Sequence, residues 1–199
     1  MLSLTNIHAD WLGQPGASLG SEVVRGAILA NPRIASRLMR RVLHDHNVPA
    51  DDSESPGDDR GVLDQLFADP ERFVVRTGLA VHGNYLSTAV DRVAAQWLAG
   101  QFELDDLRRA VRLRRSSPLG KAPNFDDSRL SEIVSSTGEQ CVVAWAAGLS
   151  DGLRRRVMLL FPKKLMRDQP TIETRFPGAA KLVRALAADV LVPGDEREQ

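Results

Sequence analysis

A chain of 199 residues, 43% of them hydrophobic, has the apolar mass for one sizeable core and too little for two comfortable ones. Its 26 basic and 26 acidic side chains cancel, which argues against a general nucleic-acid binder with its excess of Lys and Arg. The cancellation is uneven: residues 1–103 carry 9 basic and 13 acidic groups, residues 104–199 carry 17 and 13, a split that suits contacts with differently charged protein partners.

The opening MLSLTNIHADWLG has neither the basic lead nor the continuous apolar stretch of a secretory signal. The single cysteine, Cys141, cannot close an internal disulfide and reads as a buried thiol in a reducing compartment. No apolar run approaches the ~20 residues that cross a bilayer. A cytosolic protein is expected.

The head, with Gly13, Pro15, Gly16 and Gly20, predicts short structure only. Ser21 is placed to cap a brief helix over EVVRGAILA, and Asn31 followed by Pro32 reads as an N-cap with proline in the first turn of the next. In that helix Ile34, Leu38, Val42 and Leu43 share a face, opposite a basic one of Arg33, Arg37, Arg40 and Arg41. Residues 47–61, NVPADDSESPGDDRG, hold five carboxylates and two prolines. A segment so poor in apolar groups predicts a mobile acidic loop.

After a helical turn around Leu63, Leu66 and Phe67, Asp69 and Pro70 repeat the cap signal, predicting a helix from Pro70 to about Val81 that Gly83 and Asn84 break. YLSTAVDRVAAQWLAG predicts a helix with Leu86, Ala89, Val90, Val93 and Trp97 on one face, ending at Gly100. FELDDLRRAVRLRR predicts another with Leu104, Leu107 and Val111 inward. SSPLGKAPNF, 116–125, reads as a linker.

From Asp127, an N-cap candidate, Leu130, Ile133, Val134, Cys141, Val142, Trp145 and Leu149 outline a long helix with a kink or break at Gly138. LRRRVMLLFP is short and apolar enough to be a helix or a buried strand. Ala179, Val183, Leu186 and Val190 define a final helix before GDEREQ. The fold class is therefore mainly α: a single compact multi-helix domain over 1–199, with one strand-like candidate at 156–161.

Chemistry is sparse. Of the histidines His8, His44, His46 and His82, only His44 and His46 are neighbours, and a helix would point their rings about 200° apart. No phosphate-loop, dinucleotide or nucleophile-elbow motif occurs. No cofactor, metal site or catalytic residue is expected. Two arginine sets, Arg108, Arg112 and Arg115, and Arg154, Arg155 and Arg156, read either as ordinary solvated faces or as candidate binding faces for an acidic protein surface or anionic lipid headgroups.

VVRTGLAVHGNYL, 74–86, sets Gly78, His82 and Gly83 within a helix-like run, where Gly78 reads as a close helix crossing and Gly83 as the stop before Asn84 starts a new helix. Its RxGLxxHG pattern, formed by Arg76, Gly78, Leu79, His82 and Gly83, resembles the central segment of the SctK family (the YscK, PscK, OrgA and MxiK type) of bacterial type III secretion systems. A second segment agrees in order: CVVAWAAGL with Trp145, then RVMLLFP from Arg156 to Pro162, is similar to the family's Trp-containing helix and RLxLxLP-like run. IHADWL at 7–12 is similar to its histidine-containing opening.

This resemblance implies a non-enzymatic adaptor, cytoplasmic and peripheral at the inner-membrane base of the injectisome. It would join the cytoplasmic domain of the ring protein SctD to the pod protein SctQ, and through SctQ reach SctL and the ATPase SctN. The family role implies no nucleic-acid partner and membrane association only through partners. The alternatives are a small helical enzyme using His82 and a regulator or chaperone of an unrelated system.

Overall fold

The computed structural model describes residues 4–12, 26, 30–49, 57–88, 92–119 and 129–190. Among these there is no strand. The α-helices are α1 Pro32–Asp45, α2 Gly57–Ala68, α3 Pro70–Val81, α4 Gly83–Leu86, α5 Arg92–Gln101, α6 Leu104–Arg112, α7 Leu130–Ala146, α8 Asp151–Met158, α9 Lys163–Arg167, α10 Gln169–Arg175 and α11 Ala179–Val190. No described helix is long and apolar enough to cross a membrane. The expected cap of EVVRGAILA, most of the 116–125 linker and Asp127 lie outside the described residues.

Two helix starts follow from local chemistry. Asn31 Oδ1 accepts from the amides of Arg33 and Ile34, and Asp69 Oδ1 from the amide of Arg72. In both cases proline stands first in the helix, where its missing N–H costs nothing.

The most extensive helix contact is between α3 and α7, and glycine makes it possible. A Cβ built on Gly78 would lie 1.9 Å from the Val134 carbonyl oxygen, and one on Gly138 2.0 Å from that of Val74. The two backbones thus touch reciprocally, each through the other's glycine. Gly138 is therefore no kink: α7 runs unbroken through it. Each of these helices feeds two apolar clusters. Val74, Ala80, Val81, Cys141, Val142 and Trp145 enter the main core with α2, α8 and α11, while Leu79, Leu130 and Val134 join Leu86, Leu98 and Leu107.

Several expectations are corrected. Residues 57–61 are not loop but the first turns of α2, with Asp59 buried. The segment counts as polar in composition, yet Asp58 and Asp59 sit in the first helical turn, where the helix dipole favours anions. Asp59 also gains partners: Arg184 grips both its carboxylate oxygens at 2.7 and 2.9 Å, and the Trp145 indole N–H donates at 2.9 Å.

The strand-like 156–161 segment is the end of α8 and a turn. Its apolar run is continuous because it is sandwiched: Met158 and Leu160 face the main core and Leu159 the head. The helix expected over 85–100 is divided into α4, a turn at Ser87 and Thr88, and α5, and Trp97 stands at 36% exposure instead of inward. Lys163–Arg175, for which no element was expected, forms the short helices α9 and α10.

Asp59 thus joins α2, α7 and α11 at one carboxylate. Asp59→Asn should lower stability in urea unfolding by about 1.5–3 kcal/mol, the range for hydrogen bonds to a charged group, while exposed Asp58→Asn should stay within ~0.5 kcal/mol. Equal effects of the two would remove Asp59 from this role.

Candidate functional site

The 76–83 segment is built into the interior. Leu79 is fully buried. Gly78 forms the α3–α7 crossing, and a Cβ on Gly83 would meet the Ala110 carbonyl oxygen at 2.4 Å, so this second glycine lets α4 lie against α6. The His82 backbone closes α3, its N–H donating to the Gly78 carbonyl at 3.1 Å.

Arg76 reaches sideways, its Nε donating to Asp106 Oδ1 at 2.7 Å, and Asp106 is itself buried. The network continues. Arg72 pairs with Glu103 and lies 3.9 Å from Asp106; Arg109 approaches Asp106 at 3.5 Å and Asp189 at 2.9 Å; Arg112 shares Asp189 at 2.9 Å. In these pairs four guanidiniums share three carboxylates.

The other two segments also meet. The His8 amide donates to the Leu159 carbonyl at 2.8 Å and the Trp11 indole to the Phe161 carbonyl at 2.7 Å. Ile7 and Leu12 bury against Leu159. IHADWL is thus seated on RVMLLFP. Pro162 precedes α9, where Lys163 donates its amide to Asp10 and sets its ammonium 5.0 Å from the Trp11 ring centroid. Trp145, from CVVAWAAGL, lies in the main core and binds Asp59.

The two arginine sets differ. Arg156 does not belong to an outer face: it is 6% exposed and donates to the Pro49 carbonyl at 2.6 Å. Helix geometry explains this, since Arg156 shares the inward side of α8 with Leu153 and Val157. Arg155 bonds the Asn47 carbonyl and Arg154 pairs with Asp151. Arg108, Arg112 and Arg115 are exposed. Arg115 continues from α6 into a 3₁₀ turn, Leu113–Ser116.

An apolar groove of about 450 Å³ lies along α6, lined by Leu86, Leu98, Leu104, Leu107, Arg108, Val111 and Arg112. Leu104, Leu107 and Val111 were expected to face the core together. The inward positions are instead Asp106, Leu107 and Ala110, and the expected face forms a groove wall, leaving Leu104 52% exposed. Sequence periodicity identified the stripe correctly as apolar; it carried no information on whether another element would cover it. The pairings Arg76–Asp106, Arg109–Asp189 and Arg184–Asp59 carry no local sequence signal, because their partners stand 30, 80 and 125 residues apart.

The catalytic groups one would look for are quiet. Burial, with Arg175 nearby, brings the His82 imidazole down to about 4, so it is neutral at pH 7. The ring is 3% exposed and lines neither the α6 groove nor the smaller pocket beside α10. Burial pushes the Cys141 thiol up to about 12, away from the thiolate that a nucleophile requires. His46 packs edge-on against Trp11, and desolvation lowers its pKa. Among the described residues no three His, Cys, Asp or Glu side chains group to hold a metal ion. Comparison with protein-family models, curated proteins and solved structures finds no match to this chain.

His82 has a pH signature. Its folded pKa of about 4 lies below the ordinary 6.5, so the unfolded chain binds this proton first and stability falls as pH drops from about 6.5 to about 4. The wild type should lose roughly 3 kcal/mol more than His82→Gln across that window. Parallel pH–stability curves for the two proteins would show that the ring is not held neutral by burial.

Proposed function

We propose that the chain is a non-enzymatic adaptor of a bacterial type III secretion system, joining the cytoplasmic domain of an SctD-type ring protein to an SctQ-type pod protein. The reading starts from the SctK-like residues and is supported by what they do. Arg76, Gly78, Leu79 and Gly83 hold helices together, and His82 is buried and neutral. Residues held in this way support the reading of the segment as part of a rigid body. The single observation that carries the docking role is the open, arginine-edged groove along α6.

Apolar surface left exposed on one face, with charge at its rim, is the usual anatomy of a protein-binding patch. An adaptor needs a second surface as well. Exposed Arg33, Arg37, Arg40 and Arg41 on α1, and half-buried Arg154 and Arg155 on α8, supply charged side chains that do not line the groove. Interfaces that form and dissolve repeatedly favour such polar, modest areas over obligate apolar ones. Links to SctL and SctN would then run through SctQ.

Capture by the SctD cytoplasmic domain and by SctQ from the same genome tests the assignment. The wild type should be retained by both. Charge reversal at Arg108, Arg112 and Arg115, or at Arg154 and Arg155, should weaken one of the two by at least about tenfold, with the remaining binding salt-sensitive. Failure of the wild type to bind either protein, or indifference of both partners to both sets, would contradict the adaptor role.

A further inference from the structure

The geometry points to a specific occupant for the α6 groove: an acidic amphipathic helix of a partner protein. This rests on the reading of the groove as a docking face, and not on which apparatus the partner belongs to.

The groove wall is itself a helix. Leu104, Leu107 and Val111 stand at i, i+3 and i+7 on α6, and Leu86 of α4 and Leu98 of α5 complete the apolar lining. Over two helical turns this presents a strip about 10 Å long, matched by a second helix offering large apolar side chains at i, i+3 or i+4, and i+7. A small-molecule ligand would need polar groups converging to orient it. Here the polar lining is Arg108 and Arg112, set one turn apart on the same helix.

Those two arginines fix the sign. Arg108 has the exposed Asp105 at 3.4 Å, a surface pair that solvent screens heavily. Arg112 shares Asp189 with Arg109, and Arg109 also leans on Asp106, which Arg76 already holds. The local network therefore has more guanidiniums than carboxylates, and the surplus lies at the groove edge. Glu or Asp flanking the apolar positions of an incoming helix would complete these pairs, while Lys or Arg there would be repelled. The same charge argues against a second copy of this chain, since a two-fold contact through the groove would bring two sets of Arg108 and Arg112 together.

The test uses the full chain and a fluorescent designed peptide of about 18 residues, with Leu at helical i, i+3, i+4 and i+7 positions and Glu beside them. A twin carries Lys in place of Glu. Anisotropy should show the acidic peptide binding in the micromolar range and the basic twin at least about tenfold weaker. Leu104→Gln and Arg108→Glu should each weaken the acidic peptide by about tenfold or more, while melting as the wild type does, because both side chains are exposed. Salt should weaken the binding.

Equal affinity for the two peptides, no binding of the acidic one, or indifference to Leu104→Gln would overturn the proposal. So would a wild-type dimer in sedimentation that Leu104→Gln dissolves, since the occupant would then be a second copy. Because the probe contains no secretion protein, its binding stands even where capture by SctD and SctQ fails, and the two readings fall separately.

Discussion

The most extensive contact between described helices is the backbone crossing of α3 and α7 at Gly78 and Gly138, and both main apolar clusters depend on it. At a separation where even a single Cβ would overlap a carbonyl oxygen, the two helices pack backbone to backbone. Small or short side chains accompany the glycines: Thr77 and Thr137 lie beside them, both buried, and Thr77 returns its hydroxyl to the Phe73 carbonyl at 2.8 Å within its own helix. No polar group is thereby left stranded at the crossing by Thr77. Interiors packed to this density do not deform gradually, so the crossing constrains the helices packed against α3 and α7.

The proposed docking face depends on that placement. With α3 drawn onto α7, Arg76 is left on the side where α6 approaches, and its pair with Asp106 holds α6 in register. Gly83 repeats the device two residues beyond the end of α3, admitting α6 against α4. These contacts orient α6 so that Asp106 and Ala110 turn inward and Leu104 turns out. The groove is thus a consequence of helix packing at residues some distance away in sequence, and its arginine edge belongs to the same ion-pair network that holds the helix. The buried motif and the open, charged groove are the two features on which the proposed adaptor role rests.

Much of this was legible in the sequence, and the reasons differ by residue. Asn31–Pro32 and Asp69–Pro70 announced two helix starts because capping is a local interaction, complete within four residues. Gly78 within an apolar helical run suggested a close crossing, since a glycine there otherwise only weakens the helix. Gly138 carries the same meaning but resembled a break, because the partner that explains it, Val74, is 64 positions away in the chain. The 57–61 segment was misjudged for a related reason: its composition is that of a loop, and only the long-range pairing of Asp59 with Arg184 makes it part of the core. Arg156 resembled its neighbours Arg154 and Arg155 until α8 turned it inward. As for the α6 stripe, amphipathicity told which side is apolar, and only the absence of a covering element among the described residues told that it is open.

The α3–α7 crossing is best tested by unfolding Gly78→Ala, Gly138→Ala and the double variant in urea. If both glycines serve one contact, each single change should cost about 2 kcal/mol or more by overpacking. The double should then cost at least about 1 kcal/mol less than the sum, since helices already forced apart by one methyl make room for the other. Additive losses, or single changes within about 0.5 kcal/mol of wild type, would contradict the account.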